Sequence, residues 1–548
     1  MTESKFLKWF MIGVMFCIVA TISPKAGYAE AQWTFLVYLD ADNDLETYGI
    51  ADFLEMAAVG STAEVNIVVQ FDRHPGYDSS YGDWTTTKRF LITSSLTPTV
   101  ANALIDIGEA NMGDPATLTD FINWGVANYP ANRYALVFWD HGSGWRMQIE
   151  TLRSALRTAT TVDERDRILQ DLQRAVPTVY KEICSDYTDG DELYMQEVKN
   201  ALNAAADMTL IGFDACLMSM TEVAYEIKDT GAAVMVGSED TEPAEGWPYD
   251  TILRDLALNP TWTASQFGVA IVDNYYASYW ESETLSAIDL SRMNTLAGVT
   301  STFAETMRNF WNSDQAAVRA AAQAVMDEID ATVLYEQHGD SRSGSYGLAI
   351  YFPETQGYFD TNYNGSTIAF PADTFWEEFL SDFYTSMSSS WIADAREYAQ
   401  QYYVSAHIDL YDFCNKLINP VALDCTNAVP LSSGVAYSGN TTGAPSNISS
   451  YGCWIYTLSG PEIVHTITTT IAGDIIATDN NNNLDLVILN ACNPSSCVVA
   501  GMDSASYTNA PAGTYYIVVD GWNGASGTYT LTVTAPGAEQ KSYLLWTK

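Results

Sequence analysis

Short apolar runs alternate along the first two-thirds of the chain with stretches of helical spacing. Trp33–Leu39, Val65–Phe71, Arg89–Ile92, Tyr134–Trp139, Leu210–Phe213 and Ala233–Val236 have the length of strands, and polar or helical segments follow each one. That order predicts an α/β/α sandwich around a mostly parallel sheet over residues 30–390. Ala287–Ser291, Gly347–Pro353 and a helix over Trp376–Leu380 read as the second half of the same unit. Residues 391–429 then read as a helical linker. From about Pro430 the composition turns to Gly, Ser, Thr and Asn, and Thr466–Ala472, Leu484–Leu489, Tyr515–Asp520 and Thr528–Val533 alternate as strands. This predicts an all-β sandwich over 430–536, with a tail at 537–548.

In open parallel sheets, sites lie beyond the carboxyl ends of the strands. Two such ends carry reactive residues. Tyr134–Trp139 runs into Asp140-His141-Gly142-Ser143-Gly144-Trp145, and Leu210–Phe213 runs into Asp214-Ala215-Cys216. A cysteine nucleophile with a histidine base is the chemistry this pairing predicts. The residues after Cys216 read as a helix whose first N–H groups would stabilise a thiolate. A buried free cysteine is usually inert, but a matching histidine loop points to reactivity. Of five histidines, only His141 directly follows a buried strand; His338, the next candidate, lies in a polar loop. Backbone N–H groups of Gly142 and Cys216 are the candidate oxyanion donors, because glycine permits close approach of backbone.

Trp139-Asp-His-Gly-Ser-Gly-Trp145 together with Gly212-Phe-Asp-Ala-Cys-Leu-Met218 resembles the clostripain family of cysteine peptidases. The likeness extends to Tyr38–Glu46, Val236–Glu239 and Gly347–Pro353, and so across most of residues 30–380. It implies a caspase–gingipain type of fold and a dyad of His141 and Cys216. It also implies that Asp214 floors an S1 pocket for Arg or Lys, that no cofactor is required for the chemistry while calcium, which such enzymes often need, would serve a structural role, and that a self-inflicted cut activates the enzyme. One departure stands out. The family's Asp-Leu-Tyr-Asp-Phe segment precedes the Gly-Leu-x-Ile-Tyr-Phe-Pro strand, whereas here Asp409–Phe413 follows it, leaving the end of the catalytic unit open between about 385 and 420. Pro511–Asp520 and Gly527–Val533 resemble the bacterial pre-peptidase C-terminal domain, a generally non-catalytic module that would bind substrate or a surface.

Residues 1–29 read as a secretory signal: Lys5 and Lys8, an apolar core from Phe10 to Ile22, and Gly27-Tyr28-Ala29. That core is too short to span a membrane comfortably. The formal charge of −43 becomes −45 once three lysines and one glutamate leave with the signal. Such acidity argues against nucleic acid and anionic membranes as partners and suits an exported protein that holds divalent cations or lives in salt. Seven cysteines remain, and an odd count points to a free thiol. Cys492–Cys497 is the natural short loop, Cys414–Cys425 a second pairing, and Cys184 a further unpaired candidate.

Asp214 also fits a helix N-cap, but a partly buried carboxylate suits a guanidinium. Glu239 and Asp240, after the next strand, would add carboxylates to the same pocket. Asp40-Ala-Asp-Asn-Asp44 begins like an EF-hand loop but has Leu45 for its glycine and Ala51 for its closing glutamate, so it names no calcium ligands. An insertion at about 146–190 carries seven basic and five acidic residues between Arg146 and Lys181. Pro177 ends its helix, which makes Lys181 and Arg174 the candidate self-cleavage points. Two other readings remain: a same-fold peptidase with another P1 preference, and a non-catalytic adhesive protein.

Overall fold

The computed structural model describes residues 30–145, 183–385 and 407–538, apart from short gaps at 280–282, 312, 340–341, 343, 354–358, 361, 420–422, 447, 449–450, 455–457, 459 and 482. Arg174 and Lys181 lie outside the described residues. The first unit is built on nine strands: β1 (Ala31–Ala41), β2 (Val65–Arg73), β3 (Thr87–Leu91), β4 (Ile105–Gly108), β5 (Ala131–Trp139), β8 (Leu210–Asp214), β9 (Val234–Gly237), β10 (Thr284–Asp289) and β11 (Val333–His338). A separate hairpin, β6 (Ile183–Asp186) and β7 (Asp191–Leu193), lies between β5 and β8 in sequence. The sheet order is β11-β10-β9-β8-β5-β1-β2-β3-β4. Its five central strands are parallel, and both edges close with antiparallel pairs.

Burial on both faces explains the continuous apolar runs. Along β1, Leu36 and Tyr38 enter one core, whereas Trp33, Phe35, Val37 and Leu39 enter the other. Helices Glu46–Val59, Tyr249–Leu258 and Ala264–Tyr279 cover the second face. Helices Pro115–Asn128, Met195–Ala204, Met293–Phe310 and Gln315–Thr332 cover the first. The register aligns Leu39 with Trp139 and Trp139 with Asp214, so β1, β5 and β8 end at one level.

The catalytic unit extends beyond its expected end. β12 (Ala349–Tyr351) pairs antiparallel with β13 (His407–Asp409), and the helix Leu410–Ile418 packs its buried Phe413, Cys414 and Leu417 into the first core. Residues 407–418, assigned above to a linker, are therefore part of this unit. The relocated Asp-Leu-Tyr-Asp-Phe segment supplies a strand and a helix start, with Asp409 accepting from Asp412 N. The insertion is also shorter than expected, since the β6–β7 hairpin packs beside β1 and β5.

The C-terminal unit is a two-sheet sandwich. β14 (Val429–Pro430), β16 (Ile463–Thr469), β18 (Leu484–Leu489), β19 (Cys497–Gly501) and β21 (Gly513–Gly521) form one sheet. β15 (Ala436–Asn440), β17 (Gly473–Thr478), β20 (Ser504–Ala510) and β22 (Thr528–Thr534) form the other. The expected strand 466–472 instead spans the end of β16 and the turn into β17.

Neither expected disulfide forms. The bridges are Cys425–Cys492 and Cys453–Cys497, leaving Cys184, Cys216 and Cys414 free. Cys414 is buried in the catalytic core, whereas Cys425 packs in the C-terminal unit. Both bridges close long loops, of 67 and 44 residues in sequence separation, which constrain the unfolded chain strongly. Cys425→Ser/Cys492→Ser is expected to lower stability of the C-terminal unit by about 2–4 kcal/mol. Urea unfolding with and without reductant checks this: reductant should shift the wild-type midpoint further than it shifts the variant's.

Candidate active site

The loops after β1, β5 and β8 converge at the sheet's carboxyl edge, where the strand order reverses around β1. Asp140 anchors the middle loop. Its buried carboxylate accepts Asn43 Nδ2 at 2.7 Å and the backbone N–H of Ser185, while its own N–H donates to Asp214 O at 3.3 Å. The next residue, His141, is thereby held at the mouth of the site. Its Nε2 lies 2.9 Å from Asp44 Oδ1, which also accepts the Tyr187 hydroxyl at 2.9 Å. Gly142 must be glycine: a Cβ there would stand 2.4 Å from Cys216 O and 3.1 Å from Cys216 N. The His loop thus packs backbone to backbone on the Cys loop.

Cys216 follows β8 by two residues, and Leu217 turns the chain sharply with φ of 66°. The helix expected directly after it begins only at Thr221. Residues 215–220 form a turn instead, fastened by Leu217 N to Asp240 O at 2.9 Å and Ser219 N to Ser238 O at 2.7 Å. No helix terminus therefore supports the sulfur. The Glu242 N–H donates to Sγ at 3.3 Å in its place. Burial pushes the Cys216 thiol up, with Asp240 and Asp214 adding to the rise and the Glu242 N–H opposing it. A thiol whose ionisation is disfavoured in this way needs a base. Among the described residues no hydrogen bond joins His141 to Cys216, a common state of ligand-free sites that tighten around substrate.

Asp214 ends β8 and caps no helix. Its carboxyl accepts Tyr249 OH at 2.7 Å and Trp247 N at 3.1 Å. Burial pushes it up to about 6, against the lowering effect of those two donors and of the Glu242 side chain beside it. Glu242 is the residue the sequence did not reveal. Its carboxyl is sealed from solvent against that of Asp214, with which it shares a hydrogen bond, and burial, then Asp214 and Cys216, push it well up. Asp52, held by Trp139 Nε1 at 2.6 Å, completes the acidic lining. Gly246, with φ of 63°, covers it: a Cβ would meet Asp52 Oδ2 at 2.9 Å and Asp214 Oδ2 at 3.0 Å. Among the described residues no Lys or Arg pairs with Asp214, Glu242 or Asp52.

The other two expected pocket residues turn elsewhere. Glu239 accepts Ser345 Oγ and Gly347 N (2.9 Å) and lies against Asp409, so it braces β12 and β13. Asp240 pairs with Arg342, Nε to Oδ2 2.5 Å. His338 sits at the end of β11 on Glu336, 2.8 Å away. Glu242 escaped notice because its loop, Ser238–Pro248, has neither periodicity nor motif; its only signal was a third acid shortly after Glu239 and Asp240.

Comparison with known proteins fits this arrangement. Clostripain of Hathewaya histolytica is 29% identical over 241 residues, covering 40% of this chain and 41% of that protein, so the chain matches about two-fifths of that relative's length. A secreted C11 cysteine protease from Bacteroides thetaiotaomicron, solved with an irreversible peptide inhibitor, aligns at 17% identity and a TM-score of 0.47, covering 64% of this chain and all of that one. The pre-peptidase C-terminal domain of a Bacillus anthracis collagenase aligns at 17% identity and a TM-score of 0.16, over 20% of this chain and 95% of that one. The sequence pattern of the clostripain family matches residues 37–417, which is well over half the chain and includes the His141 loop, the Cys216 loop and the displaced Asp409–Phe413 segment; the chain belongs to that family.

Proposed function

We propose that this protein is an exported cysteine endopeptidase that cuts after Arg or Lys, with Cys216 as nucleophile and His141 as base. The observation that carries the specificity is the un-neutralised Asp214–Glu242 carboxyl pair directly behind Cys216. A cationic P1 side chain entering beside the thiol supplies the charge those buried carboxyls lack. Substrate entry frees the imidazole from Asp44 to take the Cys216 proton, and the thiolate attacks the scissile carbonyl. The N–H groups of Gly142 and Cys216 receive the oxyanion, while the imidazolium returns its proton to the leaving amine. Water then hydrolyses the thioester.

A peptide library with a single variable P1 position tests this reading. Turnover confined to Arg and Lys is the expected result; preference for Asn or Asp would transfer the chain to another specificity within the fold. The adhesive alternative predicts that a thiol-reactive probe labels no cysteine of the folded protein, whereas Cys216, partly exposed while Cys184 and Cys414 are buried, should be labelled first.

Self-processing follows from the same pocket. β5 ends at Trp139, β6 begins at Ile183 and β8 begins at Leu210, so a cut at Lys181 or Arg174 breaks none of these strands. Purified wild type is expected as two fragments, the second beginning at Glu182 or Ala175, and Cys216→Ala as one chain. N-terminal sequencing decides; a single chain in active wild type, or equal cleavage in Cys216→Ala, defeats the idea. Export rests on residues 1–29, and among the described residues no helix is long and apolar enough to cross a membrane.

A further inference from the structure

We propose that the loops after β1 and β2 and the β6–β7 hairpin form a subsite for the leaving side of the substrate, in which Tyr77, Tyr187 and Asp44 receive a basic side chain at P2′ or P3′. The inference extends the peptidase reading and rests on its assignment of Cys216 and His141. Strand order supplies the geometry. Along the carboxyl edge of the sheet the parallel strands stand in the order β9, β8, β5, β1, β2. Their ends and the loops after them carry Glu242, then Asp214 with Cys216, then His141, then Asp44, then His74 with Tyr77. The carboxyls of the P1 pocket thus lie at β8 and β9, and His141 stands on the other side of the sulfur. Because His141 gives its proton to the leaving amine, the departing segment runs past it toward β1 and β2. Neighbouring strands lie about 4.8 Å apart, and an extended chain advances about 3.3 Å per residue. The loop after β1, two strands from β8, therefore stands about three residues beyond the scissile carbonyl.

The surface that meets the segment there is aromatic and acidic. Tyr77 is 49% exposed, and its ring centroid lies 4.8 Å from that of His74. His74 in turn meets Tyr187 edge-on, with 6.2 Å between centroids. Tyr187 fastens the hairpin to the loop after β1, its N–H donating to Asp42 O at 2.8 Å and its hydroxyl to Asp44 Oδ1 at 2.9 Å. Its ring is thereby set beside the carboxylate that holds His141. The Asp44 side chain is 53% exposed. When the imidazole turns to Cys216, that carboxylate loses a donor on the side where the departing segment lies.

The charge of these loops selects the occupant. Asp78 and Asp189, both partly exposed, lie on the same loops. Among residues 42–45, 73–79 and 187–190 the only Lys or Arg is Arg73. It is buried, and Glu46, Ser80 O and Asp78 O hold its guanidinium. A cation is favoured both by a tyrosine face and by a carboxylate, whereas an Asp or Glu side chain meets repulsion. The favoured substrate is a polypeptide with clustered basic residues, one at P1 and a second at P2′ or P3′.

Quenched fluorescent peptides of one sequence test the subsite on the full-length protein, with Arg or norleucine at P1 and Lys, Gln or Glu at P2′, P3′ or P6′. Lys at P2′ or P3′ should exceed Glu by about tenfold or more in kcat/KM, as an exposed cation–π contact and a surface ion pair together allow. Tyr77→Phe should keep that ratio, Tyr77→Ala should lower it by about threefold, and Tyr77→Lys should abolish it. An equal preference at P6′, beyond the wall, would express only the protein's net negative charge and overturns the subsite. An unchanged ratio in Tyr77→Ala or Tyr77→Lys overturns it too. Indifference at P2′ and P3′ while Arg is still required at P1 defeats the subsite and spares the P1 assignment. A preference at P2′ or P3′ without one at P1 does the reverse, and no hydrolysis of any peptide defeats both.

Discussion

Cys216→Ala is expected to remove hydrolysis of a good Arg substrate by about five orders of magnitude or more, and His141→Ala by a comparable factor, by analogy with other nucleophile–base pairs. Such losses are not additive, because each residue is useless without the other. Neither change should disturb the fold. Among the described residues the Cys216 side chain hydrogen-bonds only the Glu242 backbone, and the His141 ring makes one hydrogen bond, to the exposed Asp44. Active-site-independent measures, circular dichroism and Tm, should match the wild type. Residual turnover within tenfold of wild type in either variant would show that another residue performs the chemistry. Cys184 and Cys414 are poor substitutes, since burial pushes both thiols well above the usual range.

Asp214→Asn is expected to lower kcat/KM for Arg substrates by roughly 2–5 kcal/mol of transition-state binding. Turnover of a norleucine substrate should change far less. The asparagine side chain can still accept from Tyr249 or Trp247, so the pocket keeps its shape while losing charge. Glu242→Gln should act in the same direction. Equal losses on both substrates would mean a structural role. The pocket also has a pH signature. Asp214 is pushed up to about 6, so its charge is present above that pH and disappears as pH falls through it. The Arg-to-norleucine preference should therefore decline as pH drops below about 6. The same shift means that ionising Asp214 disfavours the substrate-free folded state relative to the unfolded one, and a guanidinium in the pocket offsets this.

The parts of the molecule readable from sequence are those in which a single local pattern decides the outcome. The five parallel strands carry continuous apolar runs because helices cover both faces, and the loops bearing His141 and Cys216 simply follow two of them. β4, β6, β7 and β13 are only three or four residues long, and partners far away in sequence fix them. Disulfide connectivity failed for a related reason. Cys492 and Cys497 are near in sequence, yet Cys497 opens β19 toward Cys453 while Cys492 meets Cys425 across 67 residues. The acidic groups divide likewise. The position of Asp214 at a strand end was legible because an apolar run leads into it, whereas Glu239 turns away from the expected pocket because its side chain is held by Ser345, Gly347 and Asp409, over a hundred residues distant. Asp42, Asp72, Glu109 and Asp186, which bring one carboxylate oxygen each to within 4.8 Å of the others, meet only once β1, β2, β4 and β6 have found their neighbours.

The sheet order has a kinetic consequence. β5 and β8 pair from Ala135 and Leu210 to Trp139 and Asp214 at the centre of the sheet, although residues 140–209 separate them in the chain. After a cut in that interval, the central pairing joins two polypeptides rather than two parts of one. The intact precursor refolds as a first-order process. The cut form, once unfolded, must bring its fragments together again by diffusion, so recovery becomes second order and fails on dilution. Its lifetime is then governed by the rate at which the sheet first opens, not by an equilibrium between folded and unfolded states.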